Sequence, residues 1–531
     1  MDPMHIRTRS LAVPALLLAL LAGAGVSQAA AQSGAACTPR PTPPADTTAL
    51  PAIVQASNVA VSVAITPATA TIGGCRFQRN LYRVAGGAAS YLPATLRIFP
   101  GASLDLTVTN GISAAVDTSY HGTTTNFHFH GFNVTPGRGS GAANVGDQVV
   151  SVSYDSGQAH AYRFTLPASH PMGMHWYHPH PHGFTDEQVG GGLSGAILVG
   201  DIRALRLPKN LTMPEKVLLV KDFQPFGANA FGGSVFTING DWPAAFTIPT
   251  GTAQLWHVGN VGSDTYAGLA LVNQSNPADS LALIVLAMDG NGLVKADTVR
   301  SLTLSPAIRY DVVVQAPNTR GAVYNLVNTV ASTAVNGKVG AVLGTLATTG
   351  PAQNPAPGPL YIAPDPGAQS RVSSVANAAV DSTLQFVFSF NAGALPDSQF
   401  QINQQPYEPA RIDVRVMQGI TQDWTLVNAD TSGPHVFHLH QGDFLVMSTN
   451  GTSPARYNSV QDRLSIAAGD TVVVRIPFDE SFQTGLYVFH CHILFHEDHG
   501  MMKNVCVYPQ SEKGDGGASW CQDQLSASAH H

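Results

Sequence analysis

The chain has 531 residues, of which 44% are apolar and only 11% charged, with 51 glycines, 36 prolines and a formal net charge of −7. That length allows roughly two to four domains with sizeable cores, and a composition poor in charge but rich in Gly and Pro suits many short strands and turns, so an all-β fold is expected. The acidic balance and the lack of a basic run argue against a nucleic-acid partner.

Taken in order, the chain opens with Arg7 and Arg9, an apolar stretch from Leu11 to Val26, and small residues from Ser27 to Ala31. This is the layout of a secretory signal peptide over 1–31, without the adjacent arginines of a twin-arginine signal. A membrane anchor is the competing reading, but about 15 apolar residues fall short of the ~20 that a span needs. The mature protein is therefore expected to be soluble and secreted or periplasmic, with no membrane attachment. Of the five cysteines, Cys491 stands apart for the reasons below; Cys37, Cys75, Cys506 and Cys521 allow three pairings that sequence cannot decide, or four free thiols. A bridge from Cys37 or Cys75 to Cys506 or Cys521 would tie the first domain to the last.

A first domain, 38–203, carries strand-like LRIFP, LDLTVTN and AILVG. Within it NFHFHGFNV puts His128 and His130 on one strand face, and GMHWYHPHPHG holds His175, His178, His180 and His182. A second β-rich domain, 204–350, contains FTINGDWPAAFTI, AQLWHVGN and LTLSPAIRYDVVVQAP but one histidine, His257, read as an ordinary packed or surface imidazole in a spacer domain. Residues 351–375 are Pro-rich and read as a linker. The final domain, 376–510, holds HVFHLHQGDF, with His435, His438 and His440, and then FHCHILFHEDHGMM from Phe489 to Met502. The remainder, 511–531, reads as a polar tail whose closing His530 and His531 are a disordered end or an expression scar.

Scattered at random, the 20 histidines would form roughly one His-x-His pair, yet five occur. A strand alternates its side chains, so His490 and His492 face one way and Cys491 the other, and one strand can hold two metal sites back to back. Imidazole suits copper, zinc, iron or nickel. A thiolate with two imidazoles, His435 and His496, and a weak thioether, Met501, fits tetrahedral structural zinc poorly and fits a blue-copper electron-transfer centre well.

The four segments NFHFHG, HWYHPH, HVFHLH and HCHILFHEDHGMM resemble, in order and spacing, the copper motifs of the multicopper oxidases, and the likeness runs on through FTING, RYDVVV and WTLVN. The resemblance implies three cupredoxin-like Greek-key β-sandwich domains and four copper ions. Type 1 copper would take His435, Cys491, His496 and an axial Met501; type 2 would take His128 and His438. The type 3 pair would take His130, His178 and His492 on one ion and His180, His440 and His490 on the other. Electrons would pass from the type 1 site through Cys491 to His490 or His492, with Glu497 and Asp147 relaying protons. His175 and His182 match no ligand position and read as structural or solvent-facing, and His499 is expected near the blue-copper rim without a role. The implied activity is laccase-like: four one-electron oxidations of phenols or aromatic amines coupled to reduction of dioxygen to water, by a monomer. A Met axial ligand implies a modest potential and easily oxidised donors. The alternatives are a periplasmic cuprous-ion oxidase serving copper tolerance, disfavoured by ten scattered methionines without a Met-rich segment, and a non-catalytic copper-binding protein.

Overall fold

The structure, a computed structural model, describes residues 48–526 except 117–120, 138–145, 151, 209–212, 225–232, 359 and 455–457. The leader, Cys37, His530 and His531 lie outside the described residues.

Apolar and polar residues alternate along strands such as Ser103–Thr109 and Thr471–Pro477, and the burial alternates with them. Each such strand therefore presents one apolar face, and pairs of sheets close over those faces. Six sheets result, in three sandwiches along the chain. The first encloses a core including Leu106, Phe127, Tyr162 and Tyr177; the second one around Trp256, Leu271 and Val312; the third one around Trp424, Phe437 and Phe489. The all-β cupredoxin-like expectation holds.

Several strands depart from simple alternation. Gly173–His178, His435–Leu439 and Gly485–Cys491 are buried at every position. Each packs its own core on one face, and its other face is covered by a neighbouring sandwich, so both kinds of position are removed from water. Together with His128–His130, also buried throughout, these strands carry the histidine motifs.

The segment expected to be a linker contains a helix, Pro366–Asn377. Asp365 caps it by accepting a hydrogen bond from the Ala368 N–H (3.0 Å), and Pro366 takes the first-turn position where a missing N–H costs nothing. Val372 and Val375 bury against Leu445, Val460 and Val294, so the segment is packed between the second and third sandwiches. The tail is also structured, with a helix at Ala518–Ser526. Cys521 on that helix bonds to Cys506 on the strand Met502–Tyr508, so this bridge does not tie the first domain to the last. Cys75 is also disulfide-bonded.

Candidate metal centre

The strand Gly485–Cys491 pairs with His435–Leu439 so that Phe437 lies opposite Cys491 and His438 opposite His490. Alternation then sorts the side chains into two sites. On the core face, His435 Nδ1 and His496 Nδ1 lie 3.2 Å apart, and Cys491 Sγ lies 3.6 and 3.7 Å from them. The Val436 N–H donates to the sulfur at 3.4 Å. Burial pushes the Cys491 thiol up to about 12, so a thiolate there requires a bound cation. Met501 is fully buried and is held beside this trio by its backbone: its carbonyl accepts from the Cys491 N–H and its N–H donates to the His496 carbonyl, both at 3.0 Å. His496 is partly exposed, and His435 Nε2 contacts Asp430 at 2.9 Å.

On the opposite face eight imidazoles converge, His128, His130, His178 and His180 from the first sandwich and His438, His440, His490 and His492 from the third. The pairing of His128 opposite His178 sets the first group. His490 Nε2 is 3.2 Å from the Nε2 of both His180 and His440, and His492 Nε2 is 3.2 Å from His130 Nδ1. His128, His438 and His440 form a further converging group, and His130 stacks on His438 at 3.9 Å.

The donor chemistry fits metal. Nε2 of His128, His178 and His438 is buried with no hydrogen-bond partner, an arrangement that is costly unless something else occupies the lone pair. Their outer nitrogens explain the orientation. A carbonyl only accepts, so His178 Nδ1–H donates to Pro179 O and His438 Nδ1–H to Asp462 O, both at 2.8 Å, while His128 Nδ1 lies 2.9 Å from Asp147. Each proton is thereby fixed outside and each lone pair inside. Burial, reinforced by neighbouring imidazoles, holds His130, His178, His438, His440 and His492 well below the usual range, in the neutral form that ligates.

Asp147, expected near the cluster, also accepts from the Phe129 N–H and Gln441 Nε2. Glu497 is fully buried, 2.9 Å from His490 Nδ1 and 3.5 Å from His180 Nδ1. His175 is buried against Phe132 and His170 and belongs to no converging group; His182 packs on Tyr407, and His499 Nδ1 bonds Phe495 O. A cavity of about 300 Å³, lined by Asn126, His182, Tyr407 and Met502 among others, reaches His180. A larger one of about 450 Å³, beside Met288, Tyr310 and Leu445, touches none of these imidazoles.

Sequence reasoning missed Asp462 and Arg309. Asp462 Oδ1 is 3.8 Å from His130 Nε2, and Arg309 of the second sandwich grips both Asp462 oxygens at 3.0 and 2.6 Å. For Arg309 the RYDVVV segment was the available signal; Asp462, in VQDRLSI, offered none. His257, packed as expected, is ion-paired to Asp311 and lies 3.3 Å from Glu215.

Residues 74–203 and 379–511 each match the family described as multicopper oxidase. The chain is 22% identical over 453 residues to the multicopper oxidase mco of Staphylococcus aureus, covering 81% of this chain and 85% of that protein. It is 25% identical over 378 residues to a laccase of Bacillus subtilis, covering 62% of this chain and 70% of that one. A solved multicopper oxidase from Campylobacter jejuni, titled a metallo-oxidase, superimposes with a TM-score of 0.68 at 23% identity, over 90% of this chain and 98% of that one. The chain belongs to the multicopper oxidase family and is a copper-dependent oxidoreductase that takes dioxygen as its electron acceptor.

Proposed function

We propose that the enzyme is laccase-like and oxidises phenols or aromatic amines. The observation that carries the substrate class is the aromatic rim of the thiolate site. Phe400 stacks on His496 at 4.0 Å, and Phe390 and Phe495 pack against Phe400 at 5.0 and 5.9 Å. Phe390 and Phe495 are 45% and 43% exposed, so apolar ring surface faces solvent beside the partly exposed ligand. Aromatic donors prefer such surface, since ring–ring contact adds to area burial.

In this reading His435, Cys491, His496 and Met501 hold type 1 copper and His128 and His438 type 2. The type 3 ions sit on His130, His178, His492 and on His180, His440, His490, making four coppers. Bound copper supplies one-electron oxidation at the first site and reduction of dioxygen to water at the cluster. Cys491 is bonded in sequence to both His490 and His492, so an electron taken up at the sulfur has a covalent route of a few bonds to the second face. Glu497 and Asp147 stand against ligand imidazoles as the carboxylates placed to pass protons. The cavity over His180 gives small molecules a way in and out. We place the enzyme outside the cytoplasm, supported by the leader and by the Cys506–Cys521 disulfide.

A cuprous-ion oxidase is the second reading, favoured by Asp430 against His435, a carboxylate available to a cation at the same rim. Dioxygen uptake by the copper-loaded enzyme, compared for a dimethoxyphenol and cuprous ion, separates them. Faster uptake with the phenol is expected; faster uptake with cuprous ion would overturn the laccase-like reading. No uptake with either would leave a non-catalytic copper protein.

A further inference from the structure

The second sandwich holds none of the ligands assigned above, yet one of its strands reaches both copper-bearing sandwiches. On Arg309–Gln315, Arg309 and Asp311 share a face. Asp311 accepts from the Met174 N–H at 3.1 Å, on the strand that ends in His178. Arg309 is fully buried: its Nε donates to the Met174 carbonyl at 3.3 Å, and its two terminal nitrogens form a fork on Asp462 of the third sandwich. Asp289 supports the fork, 3.4 Å from Arg309 and 3.2 Å from Arg463. The Asp462 carbonyl in turn accepts from His438 Nδ1–H and from the Leu439 N–H.

Gly131 shows how tightly this contact is built. It follows His130 with φ of +84°, and a Cβ there would collide with Asp462 Oδ2 and Arg309 Nη2. The glycine of the first His-x-His-Gly motif therefore both turns the chain and leaves room for a guanidinium delivered from another sandwich.

We infer that Arg309 is a positioning residue for the cluster, a guanidinium from the ligand-free sandwich that fixes Asp462 and through it the ring of His438. Only a planar fork can bind both carboxylate oxygens at once, and a lysine ammonium cannot reproduce it. The inference rests on the ligand assignment proposed above.

Arg309→Lys and Asp462→Asn, prepared as copper-loaded enzymes, test it. Both keep the local volume, and Asp462→Asn keeps the carbonyl. Expected is an unchanged blue type 1 absorption with a shifted or lost type 2 EPR signal. Turnover should fall roughly 10- to 100-fold, the usual effect of losing an outer hydrogen-bond partner, with little change in KM for the reductant. Arg309→Met should lose more than Arg309→Lys, which keeps part of the contact. If Arg309→Lys does not fold, Asp462→Asn decides on the same criteria. A native type 2 signal in the folded variants, or parallel loss of type 1 and type 2 signals, would overturn the inference. A wild-type enzyme with no type 2 signal would instead fail the ligand assignment beneath it.

Discussion

Glu497 shows how a single residue can be read two ways until its contacts are known. In its own segment it is an acid beside a histidine, given a proton-relay role by the family resemblance; in the fold it has no solvent and the imidazoles of His180 and His490 against it. Burial pushes its carboxyl up, but His180 and His490 outweigh that and hold it down at about 2. Glutamine has nearly the same shape but, unlike the carboxylate, cannot take up a proton and pass it on. Glu497→Gln is therefore expected to keep the blue absorption and reduction by the donor, while dioxygen reduction slows by roughly 100-fold. Stopped-flow reoxidation of the reduced enzyme measures this directly, and an unaltered rate would remove Glu497 from proton delivery. The candidate metal ligands were legible because they are chemically rare and locally spaced: a cysteine between histidines, and pairs at the strand period. Asp462 and Arg309 were not, because each is an ordinary residue in its own segment. Only the packing of one sandwich on another gives them a partner.

At the level of elements, the sequence disclosed the strands and hid the helices, the two longest among the described residues being Pro366–Asn377 and Ala518–Ser526. Turn residues and alternation mark strands directly. The helix Pro366–Asn377 sits in a proline-dense stretch and is rich in Ser and Val, so its composition reads as linker; the Asp365-Pro366 start was the cue that it begins there. The C-terminal helix Ala518–Ser526 has too few apolar residues to bury a face unaided. The Cys506–Cys521 bond holds it instead, bringing Leu525 and Trp520 against Leu486. A disulfide closing a loop of 15 residues stabilises by about 3 kcal/mol on chain-entropy grounds. Cys521→Ser is expected to raise amide exchange through this helix and lower the unfolding temperature, with the blue absorption intact. Native protection in the variant would show that packing alone holds the helix.

Across the whole molecule, the first and third sandwiches touch directly at the imidazole cluster, and the second contacts both of them. Besides Arg309, it contributes His257, buried between Asp311 and Glu215, with Arg97 of the first sandwich 2.8 Å from Glu215 and Arg203 at 3.5 Å. Burial works against the His257 cation, but Asp311 and Glu215 more than compensate and raise it from 6.5 to about 9. A raised folded-state pKa contributes stability that is complete below the unfolded value and is lost as pH rises through the folded one. At ~1.4 kcal/mol per pH unit this amounts to about 3 kcal/mol. The unfolding temperature is expected to fall between pH 7 and 10, and the fall to flatten in His257→Gln. An identical pH profile in that variant would remove His257 as its cause. The even division of the eight cluster imidazoles, four from each of two sandwiches, has a consequence for metal affinity. In the proposed assignment each cluster ion takes ligands from both halves, so copper retention would depend on the local concentration at which one half presents its ligands to the other, as in any bivalent binder. The middle sandwich then ties the two halves together, and stripping the metal should loosen the chain at the seam between the halves before either sandwich melts.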